Sequence, residues 1–196
     1  MTFDLHRTFL APVAPAPSTR PALAILDETP ADFPAREALL DAAFGPGRFL
    51  KTCERLREGR KPASGLALVA KDDEGELIAT IRLWPIFAGG RRPALLLGPL
   101  AVAEHARSLG LGAQMIRASL ARARALGHRA VLLVGDEPYY RRFGFAQRFT
   151  EKLILPGPVE RARFLGLELA AGALEGAKGR VSAAPPIPSV TLPRAA

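Results

Sequence analysis

The chain is poor in the residues that crosslink proteins or bind metals. One cysteine, Cys53, occurs in 196 residues. No disulfide can therefore form within the chain, and a reducing cytoplasm is the expected location. Cys53 itself is expected to be a small buried residue rather than a nucleophile. The three histidines show no metal-ligand spacing, so no metal site is predicted.

Long apolar runs are missing as well. No segment approaches the roughly 20 residues that cross a bilayer as a helix, so no membrane association is expected. Near the start, Phe9–Pro17 is broken by prolines and no basic cluster precedes it, which argues against a secretory signal.

Acidic residues are outnumbered, with 19 Asp and Glu against 27 Lys and Arg, for a net charge of +8. Basicity of this size occurs in nucleic-acid-binding proteins and also favours anionic cofactors. The charge is spread along the chain, without the basic stripe and interleaved aromatics that stack bases. Nucleic acid is therefore a disfavoured partner.

Composition is ordinary for a globular protein, with 48% hydrophobic and 23% charged residues. Residues 1–20 are rich in Pro and Ala without periodicity and are predicted to form an extended arm. One domain is predicted over residues 21–196, with a tail from about residue 184, where Ala184-Pro-Pro-Ile-Pro188 begins.

Hydrophobic periodicity and turn residues predict a mixed α/β sheet. Helices are predicted near Phe33–Phe44, Phe49–Glu58 and Leu111–Leu126. Strands are predicted at Leu23–Leu26, Leu66–Ala70, Glu76–Pro85, Ala94–Val102, Ala130–Val134, Lys152–Leu155 and near Leu167–Ala170. The third helix is amphipathic, and the side predicted to face the core carries Met115, Ile116, Leu120, Ala123 and Leu126.

The most informative segment is Leu95–Phe145, in which a strand, a glycine-rich turn, a helix and a second strand follow one another. The turn Arg107–Gly112 opens the helix. A helix start has unpaired backbone N–H groups and partial positive charge, and glycines there let a phosphate approach the backbone. The turn therefore predicts a ligand that carries a pyrophosphate.

Two familiar phosphate motifs fit this turn poorly. A P-loop needs Gly-Lys-Ser/Thr, whereas Ala113 and Gln114 follow Gly112. A dinucleotide site needs a third glycine where Met115 stands, and its turn follows the strand directly. Dinucleotide binding stays open as the weaker alternative, with Asp136 in the position of a ribose-binding acid.

Two patterns together resemble one family. Arg107-x-x-Gly110-x-Gly112 is similar to the Q/R-x-x-G-x-G/A signature of the GNAT superfamily, the acyl-CoA-dependent N-acyltransferases. Tyr140-Arg-Arg-Phe-Gly144-Phe145 is similar to the Y-x-x-x-G-F element of that family. The combination of LGPLAV, VLLVGD and YYRRFGF resembles the YhbS-like branch, and the likeness runs from about Pro21 to about Pro156.

The resemblance implies a mixed, mostly antiparallel central sheet with helices on both faces, in which the strands Ala94–Val102 and Ala130–Val134 splay apart. Gly98 and Pro99 predict a bulge in the first of these strands, since proline cannot donate to a ladder. Acetyl-CoA is the implied co-substrate, with its pantetheine arm along the exposed strand and its pyrophosphate on the turn. The implied cofactor-binding residues are Leu100, Ala101, Val102, Arg107, Ser108, Leu109, Gly110, Leu111, Gly112 and Ala113.

The implied reaction is attack of an amine on a thioester. Tyr140 occupies the general-acid position of the family, and a phenol with a pKa near ~10 stays protonated at neutral pH. Tyr139 is the weaker candidate. Many members have Asn and a full helical turn before this tyrosine, whereas Gly135–Pro138 intervenes here, so a shortened helix is predicted. No general base is evident, because Asp136 and Glu137 are expected to cap that helix.

The sequence thus predicts an N-acetyltransferase that acts on a primary amine of a small molecule or a peptide. A non-catalytic acyl-CoA-binding sensor is the alternative, because no base is evident, and nucleic-acid binding ranks third. A homodimer is compatible with each of these functions.

Overall fold

The computed structural model describes residues 24–185, so the predicted arm and most of the predicted tail lie outside the described residues. The described strands are β1 (Ile25–Asp27), β2 (Ala67–Lys71), β3 (Leu77–Ala88), β4 (Pro93–Val102), β5 (Ala130–Val134), β6 (Leu153–Ile154), β7 (Phe164–Glu168) and β8 (Gly179–Ala183). The α-helices are α1 (Phe33–Phe44), α2 (Leu111–Ala125) and α3 (Glu137–Tyr140). Within residues 24–185, no helix is both long and apolar enough to cross a membrane.

The sheet follows the order β1-β2-β3-β4-β5-β7. All neighbours on this path are antiparallel except β4 and β5, which run parallel. β8 pairs antiparallel with the end of β3 and parallel with β6. The predicted mixed, mostly antiparallel sheet is confirmed.

Both faces of the sheet are covered. Alternate residues of β3 face opposite sides, so Ile81 belongs to the core under α2, whereas Trp84 belongs to a second core on the other face. α1 contacts β3 and β4. Arg36 of α1 and Arg82 of β3 both donate to the carboxylate of Glu28. Arg82 stands between Ile81 and Leu83, which belong to the core under α2, so its side chain is on the other face of the sheet. α1 therefore lies on the face opposite α2.

The predicted bulge interrupts β4 where the sequence has Gly98 and Pro99. Leu97 pairs with Leu83 and Leu100 pairs with Ile81, so two residues of β4 stand opposite one residue of β3. Because side chains alternate along a strand, the extra residue keeps Leu97 and Leu100 on the same face. The indole Nε1 of Trp84 donates a buried hydrogen bond of 2.6 Å to the carbonyl of Gly98.

Two predictions about local structure are wrong, and one strand lies where none is predicted. The helix predicted near Phe49–Glu58 is instead two 3-10 turns, Pro46–Leu50 and Thr52–Leu56, separated by Lys51 in an extended conformation. Leu126 is 52% exposed, because it lies just past the end of α2. The strand β8 was not predicted. It alternates weakly and contains Gly179 and Arg180, and its pairing with β3 joins segments about 90 residues apart in the sequence.

Candidate active site

The central feature of the site is an open strand edge. β4 is hydrogen-bonded to β5 only at Leu95 and Leu96, although β4 continues to Val102. Beyond Leu96 its described strand partner is β3 alone. The predicted splay of the two strands is therefore confirmed. The backbone of Leu97–Val102 faces a wedge in which an extended ligand can pair as a further strand does.

The side chains along this edge are held in the protein interior. Leu100 and Val102 are partly buried against the α2 core, and Ala101 is 3% exposed on the opposite face. Backbone groups are thus what this stretch offers to a ligand.

The glycine-rich turn stands at the far end of the same edge. Glu104–Leu109 forms a 3-10 segment that ends at Gly110, whose φ of 71° lies in the left-handed region that favours glycine. The carbonyl of Gly110 accepts hydrogen bonds from the amides of Ala113 and Gln114. Since the first amides of a helix have no intrahelical acceptors, those of Leu111 and Gly112 stand at the tip of α2.

The predicted cofactor residues in this turn differ in accessibility. The side chain of Leu111 is fully buried and anchors the start of α2. Leu109 is 46% exposed, and Arg107 is exposed, with its Nε 3.4 Å from the carbonyl oxygen of Val102. Ala113 is half-buried. The turn is thus a backbone surface flanked by one cationic and one apolar side chain.

Tyr139 links the turn to α3. A Cβ on Gly112 would lie 3.0 Å from the hydroxyl of Tyr139 and 3.6 Å from Cγ2 of Val102. The structure therefore brings the turn, the open edge and the tyrosine pair together. The Tyr139 hydroxyl thus occupies the space that a side chain at position 112 would take, which favours glycine there. α3 has only four residues and carries Pro138 in its first turn, as the predicted shortening requires.

Tyr140 depends on a second glycine that was not singled out from the sequence. A Cβ on Gly135 would lie 2.2 Å from Cε2 of Tyr140, so the ring packs directly over the Gly135 backbone. The ring also packs edge-on against Tyr139 and Phe145, at centroid distances of 5.1 and 5.9 Å. The sequence signal for this contact is a glycine directly after the apolar run of β5.

Burial raises the pKa of Tyr140 to about 12, with a smaller contribution from Tyr139, while Arg163 opposes the shift. The phenol is therefore fully protonated at neutral pH and can only donate a hydrogen bond to a nearby anion.

A cavity of about 640 Å³ fills the wedge beside Tyr140. Its walls come from β4, the end of β5, the 3-10 turns after α1 and the loop before β7. The lining includes Leu97, Gly98, Pro99, Leu100, Val134, Gly135, Asp136, Cys53, Arg57 and Arg163. A second cavity, of about 470 Å³, lies around Phe149 and Leu174, and its lining does not include Tyr140.

The acidic residues after β5 do not act as predicted. Asp136 is the N-cap of α3 by position, yet its side chain makes no capping hydrogen bond, and the residue lines the wedge cavity. Glu137 pairs with Arg141 at 3.9 Å instead of capping the helix. Cys53 also lines the cavity, and burial raises the pKa of its thiol, so it is the inert buried residue that was predicted.

These features match one family of enzymes. A family model described as the acetyltransferase (GNAT) family matches residues 25–145, which is more than half of the chain. This chain belongs to the GNAT family of acetyltransferases.

Similar proteins match this GNAT chain over most of its length. It is 34% identical to YhbS of Escherichia coli strain K12, an uncharacterised N-acetyltransferase, over 79% of this chain and 92% of YhbS. The crystal structure of E. coli YhbS in complex with CoA superposes with a TM-score of 0.72 and covers 85% of this chain and 93% of that chain. A Brucella melitensis GNAT acetyltransferase in complex with acetyl-CoA is 31% identical, with a TM-score of 0.58 over 74% of this chain and 87% of that chain.

Proposed function

We propose that this chain transfers the acetyl group of acetyl-CoA to a primary amine of a small molecule or peptide. The observation that carries the proposal is the continuity of three features: the open edge Leu97–Val102, the tip of α2 beside it, and the wedge cavity with Tyr140. The two similar proteins crystallised with CoA and acetyl-CoA support this assignment. The enzyme is expected to work in the cytoplasm.

The residues that fit acetyl-CoA are those that offer backbone groups. The backbone of Leu100, Ala101 and Val102 would pair with the pantetheine arm. The amides from Gly110 to Gly112 would hold the pyrophosphate, with Ala113 beside them, aided by the partial positive charge of the α2 start and with Arg107 as a nearby cation. Bound acetyl-CoA supplies the thioester that the amine attacks.

Tyr140 would act on the leaving sulfur. Because its pKa lies at about 12, the hydroxyl keeps its proton and donates a hydrogen bond to the developing thiolate. Asp136 lines the same cavity and would accept a proton from the attacking amine. Both groups are placed by the short segment Gly135–Tyr140, so one turn of chain carries the proposed acid and the proposed base.

Steady-state release of free thiol from acetyl-CoA, with and without added primary amines, tests the proposal. We expect release that depends on the amine and saturates with acetyl-CoA. Binding of acetyl-CoA without amine-dependent release across a broad amine panel would contradict the enzyme and favour an acyl-CoA sensor.

A further inference from the structure

Arg57 is the buried cation of the wedge cavity. It follows the 3-10 turn Thr52–Leu56, and its side chain is 12% exposed. Its Nη2 lies 3.2 Å from the position that a Cβ on Gly98 would take, at the bulge of β4. The guanidinium therefore stands at the end of the open edge opposite the glycine-rich turn, within the cavity that also contains Tyr140.

The guanidinium group of Arg57 makes few of the hydrogen bonds that it can donate. Within the part of the chain that the structure describes, its Nε is buried without a hydrogen-bond partner. Oε2 of Glu54 lies 3.6 Å from Nη1, which is close enough for an ion pair but too long for a hydrogen bond. Desolvation lowers the pKa of Arg57 below its ordinary value. Nε has almost no accessible surface, so a ligand in the cavity can reach only the terminal nitrogens, whose described carboxylate partner is Glu54 at ion-pair distance. A buried cation with so weak a partner is costly, and its terminal nitrogens can take a further anionic group from a ligand.

Other cations around the cavity are already engaged or exposed. Arg48 pairs with Glu37 and Asp41, and the ammonium of Lys51 lies 4.5 Å from the centre of the Phe44 ring. Arg163 is exposed at the surface. Arg57 is thus the lining cation best placed to receive an anion away from water.

The charges around Arg57 are mixed in sign. A guanidinium offers parallel N–H groups that match a carboxylate in a two-point contact. Besides Arg57, the cavity is lined by three cations, Arg48, Lys51 and Arg163, and by three carboxylates, Glu54, Asp136 and Glu160. The carboxylates would attract an ammonium group, while Arg57 offers its guanidinium to an anion. The lining therefore suits a molecule that carries both a carboxylate and an amine.

We propose that Arg57 binds a carboxylate of the acetyl acceptor, which makes the acceptor an amino-acid-like compound with a primary amine. The amine then faces Asp136 and Tyr140, on the side of the cavity formed by the end of β5. This inference rests on the acetyl transfer proposed above and names the class of compound that receives the acetyl group.

Matched acceptors test the inference on the unaltered protein. Thiol release from acetyl-CoA would be measured with the common amino acids and β-alanine, with the corresponding amides, and with simple alkylamines. We expect the best acceptor to carry a carboxylate, and its amide to lose about 10- to 100-fold in kcat/KM, the usual loss when a charged hydrogen-bonding site is left unpaired.

Two variants locate the effect at Arg57. Arg57→Gln should raise the KM for the carboxylate acceptor, lower kcat/KM by about 10- to 100-fold and leave the KM for acetyl-CoA unchanged. The preference for acid over amide should disappear with it. Arg57→Lys should restore part of the preference, because it keeps the charge without the planar fork. Arg60→Gln is the matched control, since Arg60 is exposed, lies outside the cavity lining and loses the same charge.

Different failures point to different errors. Turnover of uncharged amines or amides as fast as of acids would overturn the carboxylate inference and leave acetyl transfer standing. An equal fall in kcat for acid and amide in Arg57→Gln would also overturn it and would assign Arg57 to the thioester carbonyl. Absence of thiol release with every member of the panel, in a protein that binds acetyl-CoA, would overturn both proposals.

Discussion

The ring of Tyr140 lies where a side chain of residue 135 would be, directly against the backbone of Gly135. This contact orients the hydroxyl that we propose as the hydrogen-bond donor. The ring cannot approach the end of β5 if position 135 carries a side chain, because a Cβ there would lie 2.2 Å from the ring. The same approach removes the ring from water and raises the pKa of its hydroxyl to about 12. The contact thus places the ring, and the burial of the ring raises the pKa of a hydroxyl that is protonated at neutral pH in either environment.

Tyr140→Phe is expected to lower kcat by about 10²- to 10⁴-fold, because it removes only the proposed hydrogen-bond donor to the leaving thiolate. The KM for acetyl-CoA should change little. Steady-state kinetics at saturating acetyl-CoA measure the effect, and Tyr139→Phe is the control. Wild-type turnover in Tyr140→Phe, with chemistry limiting the rate, would make the residue structural.

Alkaline titration gives an independent test of the environment of Tyr140. The chain has two tyrosines, and the absorbance of tyrosinate reports their ionisation. We expect a transition near pH 12 that Tyr140→Phe removes. Since the folded pKa is raised, the stabilisation linked to Tyr140 is complete below the ordinary pKa of ~10 and is lost as the pH rises towards 12. Titration of Tyr140 near pH 10 in the folded protein would contradict its burial.

Gly135→Ala should displace the Tyr140 ring and lower kcat by about 10-fold or more, because misplacement of a catalytic group by about 1 Å is enough to slow a reaction. The pKa of Tyr140 should fall towards its ordinary value as the ring becomes solvated. Gly45→Ala is a useful comparison, since nothing lies within 4 Å of a Cβ there, although its φ of 70° makes the substitution locally strained. Unchanged kcat in Gly135→Ala would show that the loop adjusts without moving the ring.

At the scale of elements, the buried carboxylate of Glu28 joins β1, α1 and β3. It accepts hydrogen bonds from Arg36 of α1 and from Arg82, whose Nε lies 2.7 Å away. Desolvation nevertheless raises the pKa of Glu28 above its ordinary value, against the effect of Arg36. The Glu28 carboxylate is thus strongly desolvated and is held in place by hydrogen bonds from two guanidinium groups.

Glu28→Ala is expected to destabilise the fold by about 3 kcal/mol, because Arg82 loses its carboxylate partner, while Arg36 keeps its pair with Glu37. Asp27→Ala is the adjacent control, since the Asp27–Arg122 pair is largely exposed and should contribute only about 0–1 kcal/mol. Denaturant unfolding of both variants measures the difference. Equal effects would show that the Glu28 cluster is no stronger than a surface pair.

Elements with a local signal could be predicted from the sequence, and elements set by distant contacts could not. α1 begins and ends as predicted, because Pro34 near its start and Gly45 after its end fix both termini. β5 also has the predicted bounds, since its apolar run is covered on both faces. The prediction of a helix after α1 is wrong because Phe49 and Leu50 are exposed. The apolar residues of this segment therefore do not mark a buried helical face.

The candidate site divides in the same way. The phosphate turn and Tyr140 lie in contiguous motifs, and the bulge is marked by Gly98 and Pro99 within one strand. Arg57 carries no comparable signal, because its place beside Gly98 arises when the irregular segment after α1 folds against β4. Asp136 was assigned to a cap because local rules favour that role. The shortened α3 makes no such bond and leaves Asp136 in the cavity lining.

At the scale of the whole molecule, acetyl-CoA should stabilise the fold. A hundredfold excess over the dissociation constant adds about 2.7 kcal/mol, which is roughly 5–11 °C in Tm for a chain of this size. Gly112→Glu should abolish the shift, because the added carboxylate occupies the phosphate position, and the contact of its Cβ with the Tyr139 hydroxyl should lower the ligand-free Tm. Thermal melts with acetyl-CoA and with NAD measure it. A shift with NAD alone would favour the dinucleotide alternative.

The length of the open edge of β4 also restricts which acyl donors fit. From the bulge at Gly98 to Val102, beside the tip of α2, four residue steps of an extended strand measure about 13 Å. A donor that rests its phosphate on the turn and presents its acyl carbon at the bulge must separate the two groups by that length. Acetyl phosphate, in which a single oxygen joins them, is too short to reach both ends. The distance between its phosphate and its acyl carbon therefore decides whether an acyl donor fits, independently of any side chain that contacts the acetyl group.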